Sequence, residues 1–121
     1  MLTAEELPDC PVATTLRLIG SKWKIQVIQR LLDRPWRFNE LWRSIDGVSQ
    51  KVLTEALRQL ESDGVITRTV YPEVPVRVEY ALSDLGESMR PIIDSMAKWG
   101  AGYQQMVRAG AGQANDLVLN D

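Results

Sequence analysis

The chain has 121 residues with 14 basic and 16 acidic side chains, no histidine and one cysteine. That length suits a single domain with a modest core, to which a second copy can contribute. The residue inventory excludes an internal disulfide, a zinc site built on several thiolates and histidine-based catalysis, so neither a metal nor a cofactor is expected.

Residues 1–9 carry Glu5, Glu6 and Asp9 and read as an N-terminal arm without the basic start and apolar run of a signal peptide. No stretch is long enough to span a bilayer, so a cytoplasmic protein with no membrane contact is expected. Asp9 or Cys10 caps the first helix, because Pro11 then occupies the first helical position, where its missing N–H costs nothing. Val12, Leu16 and Ile19 line one face. Gly20 ends this helix and Ser21 caps the next, from 22 to about 33, whose Trp23, Val27, Ile28, Leu31 and Leu32 form a broad apolar surface. Lys22 and Lys24 lie in its first turn, where the helix dipole disfavours cations. They are either a solvated end or phosphate contacts. Arg34-Pro35-Trp36-Arg37 then breaks the helix and supplies a short strand.

Residues 38–64 read as two helices joined by a tight turn. The first takes Asn39 as its cap, buries Leu41 and Ile45 with Phe38, and leaves Arg43 and Ser44 outward. Gly47 marks the turn. In the second, Leu53, Ala56, Leu57 and Leu60 make one apolar stripe, opposed by Lys51, Thr54, Glu55, Arg58 and Ser62. Ser49 suits its N-cap, and Gly64 follows the last periodic residue as a C-cap does. A short helix, a Gly-containing turn and a longer polar-faced helix are the helix-turn-helix pattern, though ordinary packed helix pairs share it. The segments 65–71 and 77–82 are then rich in β-branched and aromatic residues and flank a Pro-Glu-Val-Pro loop. A hairpin directly after the second helix can lie beside it as a wing. The expected fold is therefore mainly α with a small β-hairpin, an α+β winged helix-turn-helix.

Ser83 caps a last long helix in which Leu85, Met89, Ile92, Met96, Trp99 and Tyr103 are spaced alternately by fours and threes, close to a coiled-coil seam. A small domain has little surface to cover such a stripe, so these residues, with Val12 and Leu16 of the first helix, are the expected interface of a homodimer. Pro91 is expected to kink the helix. Gly100 and Gly102 either admit another backbone or end it. The domain then spans 10–103, and 104–121 form a flexible C-terminal tail without sustained periodicity from Ala109 onward.

Charge is uneven along the chain. Residues 22–58 hold eight basic and four acidic side chains, a local net of +4, against six basic and twelve acidic elsewhere. Positive charge gathers where a DNA face would lie.

The order Cys10-Pro11, Ile19-Gly20-Ser21-Lys22-Trp23, Arg37-Phe38-Asn39-Glu40-Leu41, Val48-Ser49-Gln50-Lys51-Val52-Leu53-Thr54, Leu60-Glu61, Asp63-Gly64, Arg77-Val78-Glu79-Tyr80-Ala81-Leu82-Ser83, Gly86 and Trp99-Gly100 resembles the HxlR family of bacterial transcriptional regulators. The resemblance implies a MarR-like homodimer that binds inverted-repeat operator DNA and represses or activates neighbouring genes. Val76 departs from it, standing where the family often has a second proline. On this reading Ser49, Gln50, Lys51 and Thr54 meet base edges and phosphates in the major groove, Arg58 and Lys22 meet the backbone, and Arg77 suits a minor groove or its phosphates. The alternative for each is a solvated face.

The family also includes members that sense electrophiles or oxidants through a cysteine at the Cys10 position, and a helix N-terminus stabilises a thiolate. The plain alternative is a small, partly buried hydrophobe. A small-molecule effector among Trp23, Trp36, Trp42, Trp99 and the methionines is the competing input. Two other classes stand beside a regulator: a winged helix used for protein contact without DNA, and an enzyme resting on carboxylates such as Glu55 or Glu61, which lie on an ordinary solvated face. No enzyme is expected.

Overall fold

The computed structural model describes residues 1–110. It divides into two compact units, Met1–Ser88 and a second that begins at Met89. The part of the expected tail that follows residue 110 lies outside the described residues.

The first unit opens with one 3-10 turn, Ala4–Glu6, held by the Thr3 N–H donating to Glu6 at 2.9 Å. Helix α1, Pro11–Ile19, follows with Cys10 as N-cap and Pro11 in the first position, as expected. Helix α2, Lys22–Leu31, is capped by Ser21, whose hydroxyl accepts from the Lys24 N–H at 3.0 Å. Val27, Ile28 and Leu31 of α2 are buried. The helix stops two residues short of the expected end, where Trp36 donates its indole N–H to the Arg30 carbonyl at 3.0 Å.

Strand β1 is Trp36–Arg37, and helix α3, Phe38–Ser44, begins at once. Its N-cap is Arg37 rather than Asn39. The reason is Glu40, whose carboxylate accepts the Arg37 N–H at 2.9 Å, one half of a capping box placed two residues earlier than the Asn suggested. Ser44, expected outward, is half-buried: its hydroxyl and carbonyl accept from Arg30 at 2.8 and 2.7 Å, tying α3 to α2. Gly47, at φ +82°, makes the turn, a conformation that side chains with a Cβ rarely adopt. The Trp42 indole donates to the Val48 carbonyl at 2.9 Å and fixes the turn to α3.

Helix α4, Gln50–Ser62, has both ends closed by its own sequence. Ser49 accepts the Val52 N–H at 3.1 Å. At the other end Val65 N–H returns to the Leu60 carbonyl at 2.9 Å and Gly64 N–H to Glu61 at 3.0 Å, the Schellman pair, with Gly64 at φ +82°. Leu53, Ala56, Leu57 and Leu60 are buried, as the stripe required. Strands β2, Ile66–Tyr71, and β3, Arg77–Leu82, form the hairpin, and β1 pairs antiparallel with β3 to give the order β1-β3-β2. Val65, Ile66 and Tyr80 attach the sheet to the core. The peptide bond Val74–Pro75 at the wing is cis.

The expected single kinked helix is instead two. Helix α5, Asp84–Glu87, is capped by Ser83, whose hydroxyl accepts from Gly86 N–H at 3.1 Å. In the second unit, helix α6 runs Arg90–Arg108 with Pro91 in its first turn. A proline there forfeits no hydrogen bond, so it marks a start instead of a kink. Gly100 and Gly102 do not end α6, which continues past residue 104, the expected start of the tail.

Candidate nucleic-acid interface

The hydrophobic stripe of α4 dictates what its other face can do. With Leu53, Ala56, Leu57 and Leu60 turned inward, Gln50, Lys51, Glu55 and Arg58 are exposed. Among the described residues neither Lys51 nor Arg58 has an ion pair. Two hydroxyls on this face are partly committed. Ser49 uses a lone pair on the Val52 N–H and keeps its proton to donate. Thr54 donates to the Gln50 carbonyl at 2.8 Å, so it offers outward a methyl group and an acceptor oxygen. Ser49 and Gln50 stand at the head of α4, where backbone N–H groups and the dipole favour an anion.

Beside α4 lies a groove of about 310 Å³ lined by Thr54, Leu57, Arg58, Glu61, Arg68 and Tyr80. Arg68 was missed by the sequence reading. It stands opposite Tyr80 in the hairpin register, which turns it toward α4 and sets it across the groove from Arg58. Alternation along β2 from the buried Ile66 was the signal that it shares a face with the core. A second cleft, about 510 Å³, separates the head of α3 from the wing and is lined by Arg37, Asn39, Glu40 and Arg43 on one side and Pro75, Val76 and Arg77 on the other. Glu40, held low in pKa by the Arg37 N–H and then by Arg34, stays ionised there. Arg34 meets it at 3.5 Å and lies over the Trp36 ring.

Arg77 does not stand free as the sequence suggested. Its guanidinium donates to Glu73 at 2.9 Å and to Glu79 at 2.6 Å, and covers the Tyr71 ring at 3.8 Å. Glu73, then Glu79, push its pKa further up. One cation held by two anions leaves the base of the wing net negative. The wing tip beyond is apolar and exposed at Val74 and Val76. Lys22 is exposed, with its ammonium 4.7 Å from the Trp23 ring centre. Cys10 is exposed at the head of α1.

The residues expected at a dimer interface separate into two kinds. Val12 and Leu16 on α1, Leu85 on α5, and Ile92, Met96, Trp99 and Tyr103 on α6 are exposed, the last two with stacked rings 5.6 Å apart. Met89 is 5% exposed and so does not belong to that open stripe; Ile93 is likewise buried. Among the described residues no cluster of side chains could hold a metal ion, and no helix is long and apolar enough to cross a membrane.

A helix-turn-helix whose second helix keeps an open polar face, followed at once by a β2–β3 hairpin that β1 extends to a three-stranded sheet, defines the winged helix-turn-helix class of DNA-binding proteins. A model of the HxlR-like helix-turn-helix family matches residues 18–108. The chain is 42% identical over 105 residues to the HTH-type transcriptional regulator YdeP of Bacillus subtilis, covering 87% of this chain and 82% of YdeP. It is 48% identical over 94 residues to an HTH-type transcriptional regulator of Methanothermobacter thermautotrophicus, covering 78% and 72%. Among solved structures it is similar to the redox regulator HypR in its reduced form, with a TM-score of 0.78 and 39% identity over 83% of this chain and 99% of HypR. The chain belongs to the HxlR family and is a helix-turn-helix transcriptional regulator.

Proposed function

We propose that the protein acts as a homodimer on an inverted-repeat operator, with α4 of each copy entering the major groove N-terminus first. The observation that carries this reading is the open polar face of α4, whose cations have no ion pair among the described residues. Gln50 makes paired hydrogen bonds to an adenine edge, Lys51 donates to guanine or phosphate, and Thr54 offers its methyl to a thymine. Ser49 donates its free proton to a phosphate, and Arg58 with Arg68 grips the strand that passes between α4 and the wing. Lys22 adds a peripheral phosphate contact. Arg77 braces the wing, while Val74 and Val76 present an apolar tip to the minor groove. The exposed apolar residues of α1, of α5 and of α6 supply the dimer contacts.

HypR is described as a redox regulator, and it resembles this chain in both its reduced and its oxidised forms. An exposed Cys10 at the head of α1, which carries Val12 and Leu16, supports a thiol response: modification there disturbs a helix of the dimer. Binding to DNA fragments from the protein's own upstream region tests the whole reading. Lys51→Ala is expected to weaken specific binding and lower its salt slope by about one, and Gln50→Ala to cost about 1–3 kcal/mol on the preferred site only. No sequence preference in the parent protein at moderate salt would leave a winged helix for protein contact as the better account.

A further inference from the structure

Asp-Gly occurs twice in the chain, at Asp46-Gly47 and Asp63-Gly64, and the two pairs flank α4. Both glycines sit at φ +82° and both are followed by valine, so their covalent surroundings are closely matched. An aspartyl peptide rearranges most readily before glycine, which has no Cβ to shield its nitrogen from the neighbouring carboxyl. Folding then treats the two pairs differently. Gly64 donates its N–H to the Glu61 carbonyl at 3.0 Å, Asp63 donates its own to the Gln59 carbonyl at 2.9 Å, and both residues are half-buried. Asp46 and Gly47 are exposed, and among the described residues neither the Gly47 N–H nor the Asp46 carboxylate has a hydrogen-bond or ionic partner. A Cβ built at Gly47 would meet only the Trp23 ring, at 4.0 Å, whereas at Gly64 it would lie 3.1 Å from the Met1 side chain. The first pair therefore has both a free nucleophile and room to rearrange.

We propose that Asp46-Gly47 is a self-modification site, at which the turn between α3 and α4 converts to isoaspartate and disables α4. The Gly47 amide nitrogen gives its proton to solvent and attacks Cγ of Asp46. The new C–N bond closes a five-membered imide, and the carboxyl C–O bond breaks with loss of water. Water then opens the imide at one of its two carbonyls. Opening at the side-chain carbonyl restores aspartate. Opening at the main-chain carbonyl leaves the chain running through Cβ and Cγ of residue 46, with the old main-chain carbonyl carbon now a free carboxylate. One water leaves and one returns, so composition is unchanged and neither oxidant nor cofactor is needed. The main chain has gained one carbon between Ile45 and Val48, both buried. The Val48 carbonyl accepts from the Trp42 indole at 2.9 Å, and Ser49 caps α4 directly after it, so a longer turn shifts the head of α4 against α3. The loss of DNA binding rests on the reading of α4 as the helix that enters the groove; the rearrangement itself does not.

The test ages the full chain in heavy-oxygen water, folded in one series and in denaturant in another, and digests it with trypsin in ordinary water. The two pairs fall on separate peptides, residues 44–51 and 59–68, in which isoaspartate is resolved from aspartate by retention time and located by electron-transfer fragmentation. Heavy oxygen enters when the imide opens and so marks each passage through it. In the folded chain Asp46 is expected to convert about tenfold faster than Asp63, whose glycine must first release its hydrogen bond, and in denaturant the two rates converge. Equal rates in the folded chain, the same preference in denaturant, or no conversion at Asp46 while the denatured chain converts, each overturns the proposal. Asp46→Glu keeps the charge but needs a larger ring that closes far more slowly. It is expected to bind DNA as the fresh parent does and to keep that binding on ageing, while the parent loses binding in proportion to isoaspartate at residue 46. Repair of the aged parent by an isoaspartyl methyltransferase with S-adenosylmethionine restores it. Binding that survives conversion overturns the disabling of α4. Should the fresh chain bind no DNA at all, the operator reading fails and the peptide analysis still decides the modification site.

Discussion

Replacing Glu73 by glutamine is expected to tighten DNA binding and make it more salt-dependent, the opposite of what loss of a wing contact would do. Arg77 donates to Glu73 at 2.9 Å and to Glu79 at 2.6 Å, so the group carries one positive and two negative charges. Removing the Glu73 charge, on a side chain 49% exposed, brings the cluster to neutrality while Glu79 still orients the guanidinium over Tyr71. If the wing base lies within reach of one phosphate, the freed N–H groups displace about one more counterion, which steepens the log–log salt slope by about 0.9. A fourfold rise in salt, from about 50 to about 200 mM, then costs the variant roughly 3.5-fold more affinity than the parent. Fluorescence anisotropy on one labelled operator fragment at several salt concentrations measures this directly. Arg77→Ala in the same series leaves two unpaired carboxylates beside the DNA, so it binds more weakly, and its slope is no steeper than the parent's. Identical slopes and affinities for Glu73→Gln and the parent would refute the reasoning, because the wing base would then be remote from the backbone.

Gly86→Ala is expected to destabilise the fold by about 1–3 kcal/mol or more, since a Cβ there would sit 2.2 Å from the Val65 carbonyl oxygen and 2.9 Å from Leu82; chemical denaturation gives the value. That oxygen is fixed at the start of β2 by hydrogen bonds from the Ser83 N–H and hydroxyl, so the helix and not the sheet must move. Glu40→Gln is expected to flatten the acid limb of the stability curve. The folded carboxyl is held below its ordinary value by the Arg37 N–H and then by Arg34, so its contribution is complete above the unfolded value and disappears as pH falls through the lowered folded value. Denaturation midpoints compared between about pH 6 and about pH 3 read this, and equal slopes for parent and variant would mean that the Glu40 carboxylate adds nothing to the capping of α3 at Arg37.

How far the sequence reached depended on the range of the interaction concerned. Helix α4 was legible end to end because every determinant is local: a stripe at helical spacing, Ser49 before it and Gly64 after it. The start of α3 was misread because two residues competed for the role of cap, and the reach of the Glu40 side chain back to Arg37 decided it. Pro91 announced an interruption, but whether it kinks one helix or begins another turns on whether its missing N–H falls in a first turn. Alternation along β2 puts Arg68 on the core face, but its position across from Arg58, like the Arg77 clamp, needed the hairpin register. The pairing of Tyr71 with Arg77 brings Glu73 back beside the guanidinium, whereas Glu79, two residues along the same strand, shares its face and was readable by alternation alone. Ser44 was hidden by a contact fourteen residues away, from Arg30.

An acidic protein that binds DNA must keep its acidity out of range. Net charge is −2 overall, yet residues 22–58 carry +4 and the remainder −6. At physiological ionic strength fields decay over about 8 Å, so the local excess governs what a phosphate at α4 experiences. Near 0.01 M the screening length grows to about 30 Å, comparable with the whole domain, and the acidic remainder begins to oppose association. The salt dependence of binding should therefore not stay linear: it flattens at the lowest salt concentrations, where a uniformly basic domain would continue to gain affinity. A straight log–log plot down to that range would mean that the carboxylates outside 22–58 stand too far from the bound phosphates to oppose association even under weak screening.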